Sequence, residues 1–146
     1  MDNQGLIESS TLTLILHGSI VVLAGLLSGF PFRDAIVKGK ERVNAWRVAH
    51  SVMVMDGMWM LIVGIVVPHL VLDRLIGRVL VCSLVAAGYG FVAAFTIGAW
   101  RGVRGLAVKP WGLNTLLFGA HAIGVVGSLV AAMIVFYGAA RALSTQ

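Results

Sequence analysis

The chain has 146 residues, 59% of them apolar and only 12% charged, against roughly a quarter charged in an ordinary soluble domain. That balance excludes a water-soluble globular domain and points to an integral membrane protein. The net charge of +5 comes from Lys and Arg placed between apolar runs, a signature of membrane topology rather than of a nucleic-acid partner.

Four apolar runs follow one another, each near or above the roughly 20 residues that a membrane helix needs. The first spans about Leu12 to Phe32, carries His17 near its start, and ends at Pro31, Arg33 and Asp34. Asp2 and Glu8 precede it and no Lys or Arg does. It therefore lacks the basic start of a secretory signal peptide and is expected to persist as a membrane helix. The second spans about Arg47 to Val67, holds His50 and Asp56, and closes near Pro68. The short turn from His69 to Arg74 makes the second and third helices antiparallel neighbours and leaves His69 in solvent.

The third run spans about Leu75 to Trp100 and contains Cys82, the sole cysteine. A lone cysteine rules out an intrachain disulfide and a CxxC metal site, and a buried, inert thiol is expected. The fourth spans about Trp111 to Ala140. The predicted fold is therefore all-α: a single four-helix transmembrane domain over residues 1–146, with no room for a second soluble domain.

Orientation follows from the cations. Arg33, Lys38, Lys40, Arg42 and Arg47 fall between the first two helices, and Arg101, Arg104 and Lys109 between the last two. Arg74, Arg78 and Arg141 fall on the other side, so the two longer loops are expected to face the cytoplasm and both termini outward. Small residues recur at every fourth position in the third helix (Ala86, Gly90, Ala94, Gly98) and in the fourth (Ala120, Gly124, Ser128, Ala132). Such stripes let helix backbones approach closely, within one chain or between copies in a homo-oligomer.

His50 and Asp56 are the costly residues. A charged Asp56 near a helix centre costs ~2.5–3.5 kcal/mol on insertion scales, and ionisable groups there are candidates for function. The second helix enters the membrane near Trp46, a residue type favoured at interfaces. At 1.5 Å per residue His50 lies roughly 6 Å below that entry and Asp56 roughly 15 Å below it. Six residues turn a helix by about 600°, so the two side chains point about 120° apart. A small ligand would not touch both from one helix, which leaves a large flat cofactor or an oligomer interface.

A neutral imidazole at that depth suits the axial position of a haem iron, with the ring in the bilayer and the propionates near the headgroups. Arg33, Lys38, Lys40, Arg42, Arg47 and Arg104 lie on the same side and could meet those propionates. The competing reading of His50 is a hydrogen-bonded packing residue. Asp56 in an apolar cavity is expected in its neutral acid form, able to donate a hydrogen bond, or else tied to a neighbouring helix. His17 falls on the side opposite His50 and His121 deeper, near mid-bilayer. No levelled histidine pair results, which argues for an iron with one open position.

The stretch Trp46 to Ser51, Trp-Arg-Val-Ala-His-Ser, followed by Asp56-Gly57-Met58 and an apolar run to Pro68 and Leu70, resembles the second helix of the styrene oxide isomerases. In that family Trp-x-x-Ala-His-Ser is followed at the same distance by Asn-Gly-Met. His17-Gly18 and Arg104-Gly105-Leu106 are similar to pairs and triplets placed likewise. The resemblance implies a four-helix membrane protein of the bacterial inner membrane that forms a homo-trimer and binds haem b. It implies that His50 is the axial ligand, with Trp46, Arg47 and Arg104 around the cofactor. It further implies that ferric iron acts as a Lewis acid on an apolar epoxide, which rearranges to an aldehyde by a 1,2-hydride shift. Asp56 falls where the family has an active-site Asn, and Phe95 where it has an active-site Tyr. The ligand therefore carries over while the substrate-facing residues change. The alternatives are a haem protein of the same fold with a redox or sensing role, and a small accessory subunit with no cofactor.

Overall fold

The computed structural model describes residues 3–39, 41–109 and 111–145; Asp2 and Lys40, both invoked above, lie outside them. Five α-helices follow in chain order: α1 (Asn3–Leu27), α2 (Gly29–Val37), α3 (Val43–Val66), α4 (Arg74–Arg101) and α5 (Leu113–Ser144). A 3-10 turn, Val67–His69, follows α3. Among the described residues four helical spans are long and apolar enough to cross a bilayer: Ile7–Val37, Val43–His69, Arg74–Arg101 and Leu113–Ser144. The all-α membrane fold is as the apolar runs predict. His69 is exposed, as expected of the turn.

The first span is longer than its apolar run and is broken at Ser28. Pro31 explains the break. It has no N–H to give the carbonyl of Leu27, and its ring would collide with that carbonyl in a continuous helix. The chain therefore ends α1 at Leu27 and restarts at Gly29, and Pro31 sits in the first turn of α2.

α1 and α3 are antiparallel and meet through glycines. A Cβ on Gly57 would lie 2.6 Å from the Val22 nitrogen, and one on Gly18 would lie 3.0 Å from the Gly57 carbonyl oxygen. Gly25 faces Val54, and Gly64 faces Leu14. The buried residues of α1 and of the break after it run Leu14, Gly18, Val21, Gly25, Ser28, alternating steps of four and three, the spacing of a helix seam. This stripe is absent from the sequence expectations above, although its signal is there to be counted.

The two predicted small-residue stripes meet only in part, and Ala86 and Ala132 at their ends are exposed. Gly90 of α4 abuts Ala120 and Gly124 of α5, and Gly124 leaves the space that the Phe91 ring fills. The buried residues of α5 are Leu117, Gly124, Ala131 and Gly138, one every seven positions. α4 lies across α1 and α3, whereas α5 packs along α4 and touches the turn after α3 without packing along α1 or α3. Much of α5 therefore faces outward, with Val125, Leu129, Met133 and Phe136 exposed.

Cys82 departs from expectation: it is an exposed free cysteine on the outward side of α4. Its neighbours Leu80 and Leu84 take the buried positions, and a residue two places from each points about 200° away. At the loop end of the bundle the Arg42 guanidinium donates to the backbone oxygen of Trp100 and lies against Gly102, which ends α4 in the left-handed conformation. A cation there meets the carbonyl end of the helix dipole. The two cation-rich loops thus occupy one end of the molecule.

Candidate functional site

His50 is half-buried on the face of α3 that meets the α1–α2 break. Its Nδ1 lies 2.8 Å from the Gly25 carbonyl oxygen, an acceptor, so Nδ1 carries the proton and donates it. The same carbonyl accepts from Ser28 Oγ at 2.5 Å. Gly25 lets α3 come close enough for this bond, and Gly29 leaves room beside the ring, 3.6 Å from where its Cβ would be. Phe32 stacks on the imidazole with centroids 6.2 Å apart and planes 29° apart. In the neutral ring this donation leaves the lone pair on Nε2. A histidine held by Nδ1–H to a backbone carbonyl, with Nε2 unprotonated, has the arrangement typical of metal-ligating histidines. His50 by itself therefore fits a ligand that would hold a haem iron. Among the described residues no group of three or more His, Cys, Asp or Glu is placed to hold a bare metal ion.

Asp56 is on another face of the same helix. It is 9% exposed, and its Oδ2 is sealed and without a partner among the described residues. Gly88 of α4 stands opposite, where a Cβ would lie 3.3 Å from Oδ2, 3.0 Å from Met60 Sδ and 3.1 Å from Val21 Cγ2. The divergence of about 120° read from helix geometry is thus realised: His50 bonds to α1, and Asp56 lies against α4. One chain does not bring the two side chains together.

Phe95 spans two helices. It packs on the cluster of Ala49, Met53 and Ala99, and meets the His121 ring edge-on at 4.7 Å between centroids. Phe91 is 5.7 Å from it. His121 Nε2 lies 3.2 Å from the Arg104 carbonyl oxygen. The α4–α5 loop folds back along α5 to deliver that carbonyl, with Gly105 at φ +60° pressed so closely on Leu117 that a Cβ there would lie 2.6 Å from the Leu117 Cβ. His121 therefore stands beside Phe95, one layer from Ala49.

The remaining expected site residues scatter. Trp46 packs on the Ala49–Met53–Ala99 cluster, on the α4 side of α3 rather than beside the His50 ring. Arg47 is exposed and bonds to Asn44 Oδ1 at 2.6 Å. The Arg104 side chain is exposed, and its carbonyl serves His121. His17 is not near the start of its helix, because α1 begins at Asn3; its neighbour Gly18 packs on Gly57, next to Asp56. Its Nδ1 is 2.9 Å from Tyr89 Oη, so Tyr89 ties α4 to α1 while Phe95 looks toward α5. The roles of Gly25, Phe32 and His121 escaped sequence reading. Only the glycine spacing and Pro31 hinted at the first two.

Residues 10–140 match the family model described as styrene oxide isomerase. No curated protein and no solved structure matches the chain.

Proposed function

The chain belongs to the styrene oxide isomerase family, and from that premise we propose that it is a haem b-dependent epoxide isomerase of a bacterial-type inner membrane. The observation that carries the cofactor assignment is the His50 Nδ1–H bond to the Gly25 carbonyl, which orients the ring and leaves Nε2 to ligate iron. When bound, ferric haem would supply Lewis-acid polarisation of the epoxide oxygen. The rearrangement conserves every atom. The C–O bond breaks at the carbon better able to carry positive charge, a hydride migrates to that carbon, and the other carbon becomes the aldehyde.

The chain's own residues hold, orient and keep dry. Ser28 and His50 share the Gly25 carbonyl, which fixes the imidazole. Asp56 as a neutral acid donates a hydrogen bond to the substrate oxygen, the role an amide would play in its place. Phe91 and Phe95 give an aromatic wall that favours a cationic carbon and excludes water. That His50 and Asp56 occupy different faces supports a site shared between copies of the chain, as a homo-trimer would allow.

Purified ferric protein is expected to show a Soret band that His50→Ala loses, and to convert aryl epoxides to aldehydes at a rate that changes when the iron is reduced. Protein without a Soret band would remove the haem assignment. A coloured protein that forms no aldehyde from a range of epoxides would leave a redox or sensing haem protein instead.

A further inference from the structure

Resting on the reading of the Phe95 region as the epoxide-binding wall, we propose that His121 is a specificity-determining residue. It selects epoxides that carry a hydroxyl or N–H donor away from the oxirane ring. α3 and α5 both pack on α4 and not along each other, and Phe91 and Phe95 lie side by side on α4 between them. His121 is the polar ring in this aromatic row, edge-on to Phe95 at 4.7 Å.

Its hydrogen bonding is half specified. A carbonyl oxygen only accepts, so the 3.2 Å contact with Arg104 requires the proton on Nε2. In the neutral imidazole Nδ1 then carries a lone pair and acts as an acceptor. Among the described residues Nδ1 has no hydrogen-bond partner, and His121 as a whole is half-buried rather than sealed. A structural tie to the loop accounts for Nε2 and leaves Nδ1 unexplained. In a wall otherwise apolar, an unpaired acceptor favours a ligand that donates to it. It also disfavours the isostere that cannot, because binding the isostere strips the acceptor of water and leaves it unpaired.

Two pairs of substrates isolate the effect: styrene oxides bearing hydroxymethyl or ethyl at the meta or the para position, equal in size and different by one hydroxyl. The haem-loaded wild type is expected to favour a hydroxymethyl compound by about tenfold or more in kcat/KM, the scale of discrimination that one hydrogen bond supplies. His121→Phe keeps a ring against Phe95 and is expected to abolish the preference while still isomerising the ethyl compound. A second measurement needs neither turnover nor the variant. The 15N signal of His121 Nδ1 in wild-type protein should move on adding 4-ethylbenzyl alcohol and stay put with 1,4-diethylbenzene. Equal kcat/KM for both pairs, or a preference that survives in His121→Phe, overturns the proposal, as does an Nδ1 signal indifferent to the alcohol. If no epoxide is isomerised but the Nδ1 signal responds to the alcohol, the isomerase reading fails and His121 stands as a ligand-binding residue.

Discussion

Asp56 holds a polar oxygen that nothing among the described residues answers. A buried unpaired polar atom costs about 1–3 kcal/mol, so a fold keeps one where a ligand or a partner answers it. If the carboxyl acts by donating a hydrogen bond, an amide serves equally. Asp56→Asn is therefore expected to retain or raise the rate of aldehyde formation from styrene oxide. A loss of a hundredfold or more would mean that the acid itself takes part. The histidines divide in the same way. His17 is tied to Tyr89, His50 to Gly25 and His121 to Arg104, and the second nitrogen of each ring is what separates a packing bond from a site. The motif around Trp46 and His50 was legible in the sequence. The Gly25 carbonyl that orients His50 was not, since it lies 25 residues away on a helix end created by Pro31.

The helices associate by close backbone approach, which replaces the hydrophobic effect as the driving force in lipid. The α1–α3 seam is tight, because Gly57 and Gly18 meet backbone rather than flexible side-chain ends. Gly57→Ala would bring a methyl against the Val22 nitrogen and is expected to destabilise by about 1–3 kcal/mol or more, lowering the thermal midpoint in detergent. Gly77→Ala, with nothing within 4 Å of the new methyl, should leave that midpoint unchanged or raise it. Similar losses from both variants would mean that the seam does not carry the packing. Every-fourth spacing located the Gly90 and Gly124 approach of α4 and α5 but not the rest of the seam, which on α5 recurs every seven residues. The partners could not be read from it, because a small residue records that something comes close and not what comes close.

At the scale of the molecule, α3 carries His50 on one face and Asp56 on another, and the proposed homo-trimer would draw the two from different copies. Chains bearing His50→Ala and chains bearing Asp56→Ala, each inactive alone, are expected to recover a fraction of wild-type activity when co-expressed. Mixed assemblies then hold some interfaces with an intact His50 from one chain and an intact Asp56 from its neighbour. No recovery, with both variants shown to co-assemble, would place the site within one subunit. Length, apolar runs and cation placement were enough to set an all-α, four-span membrane fold, since a bilayer admits few ways to satisfy a backbone. The break at Ser28, the outward Cys82, the folded-back loop beneath His121 and the lopsided seat of α5 on α4 were decided only by tertiary packing. In an apolar membrane helix every face is hydrophobic. Periodicity cannot distinguish the face that meets lipid from the face that meets a neighbour, and contact alone makes that distinction.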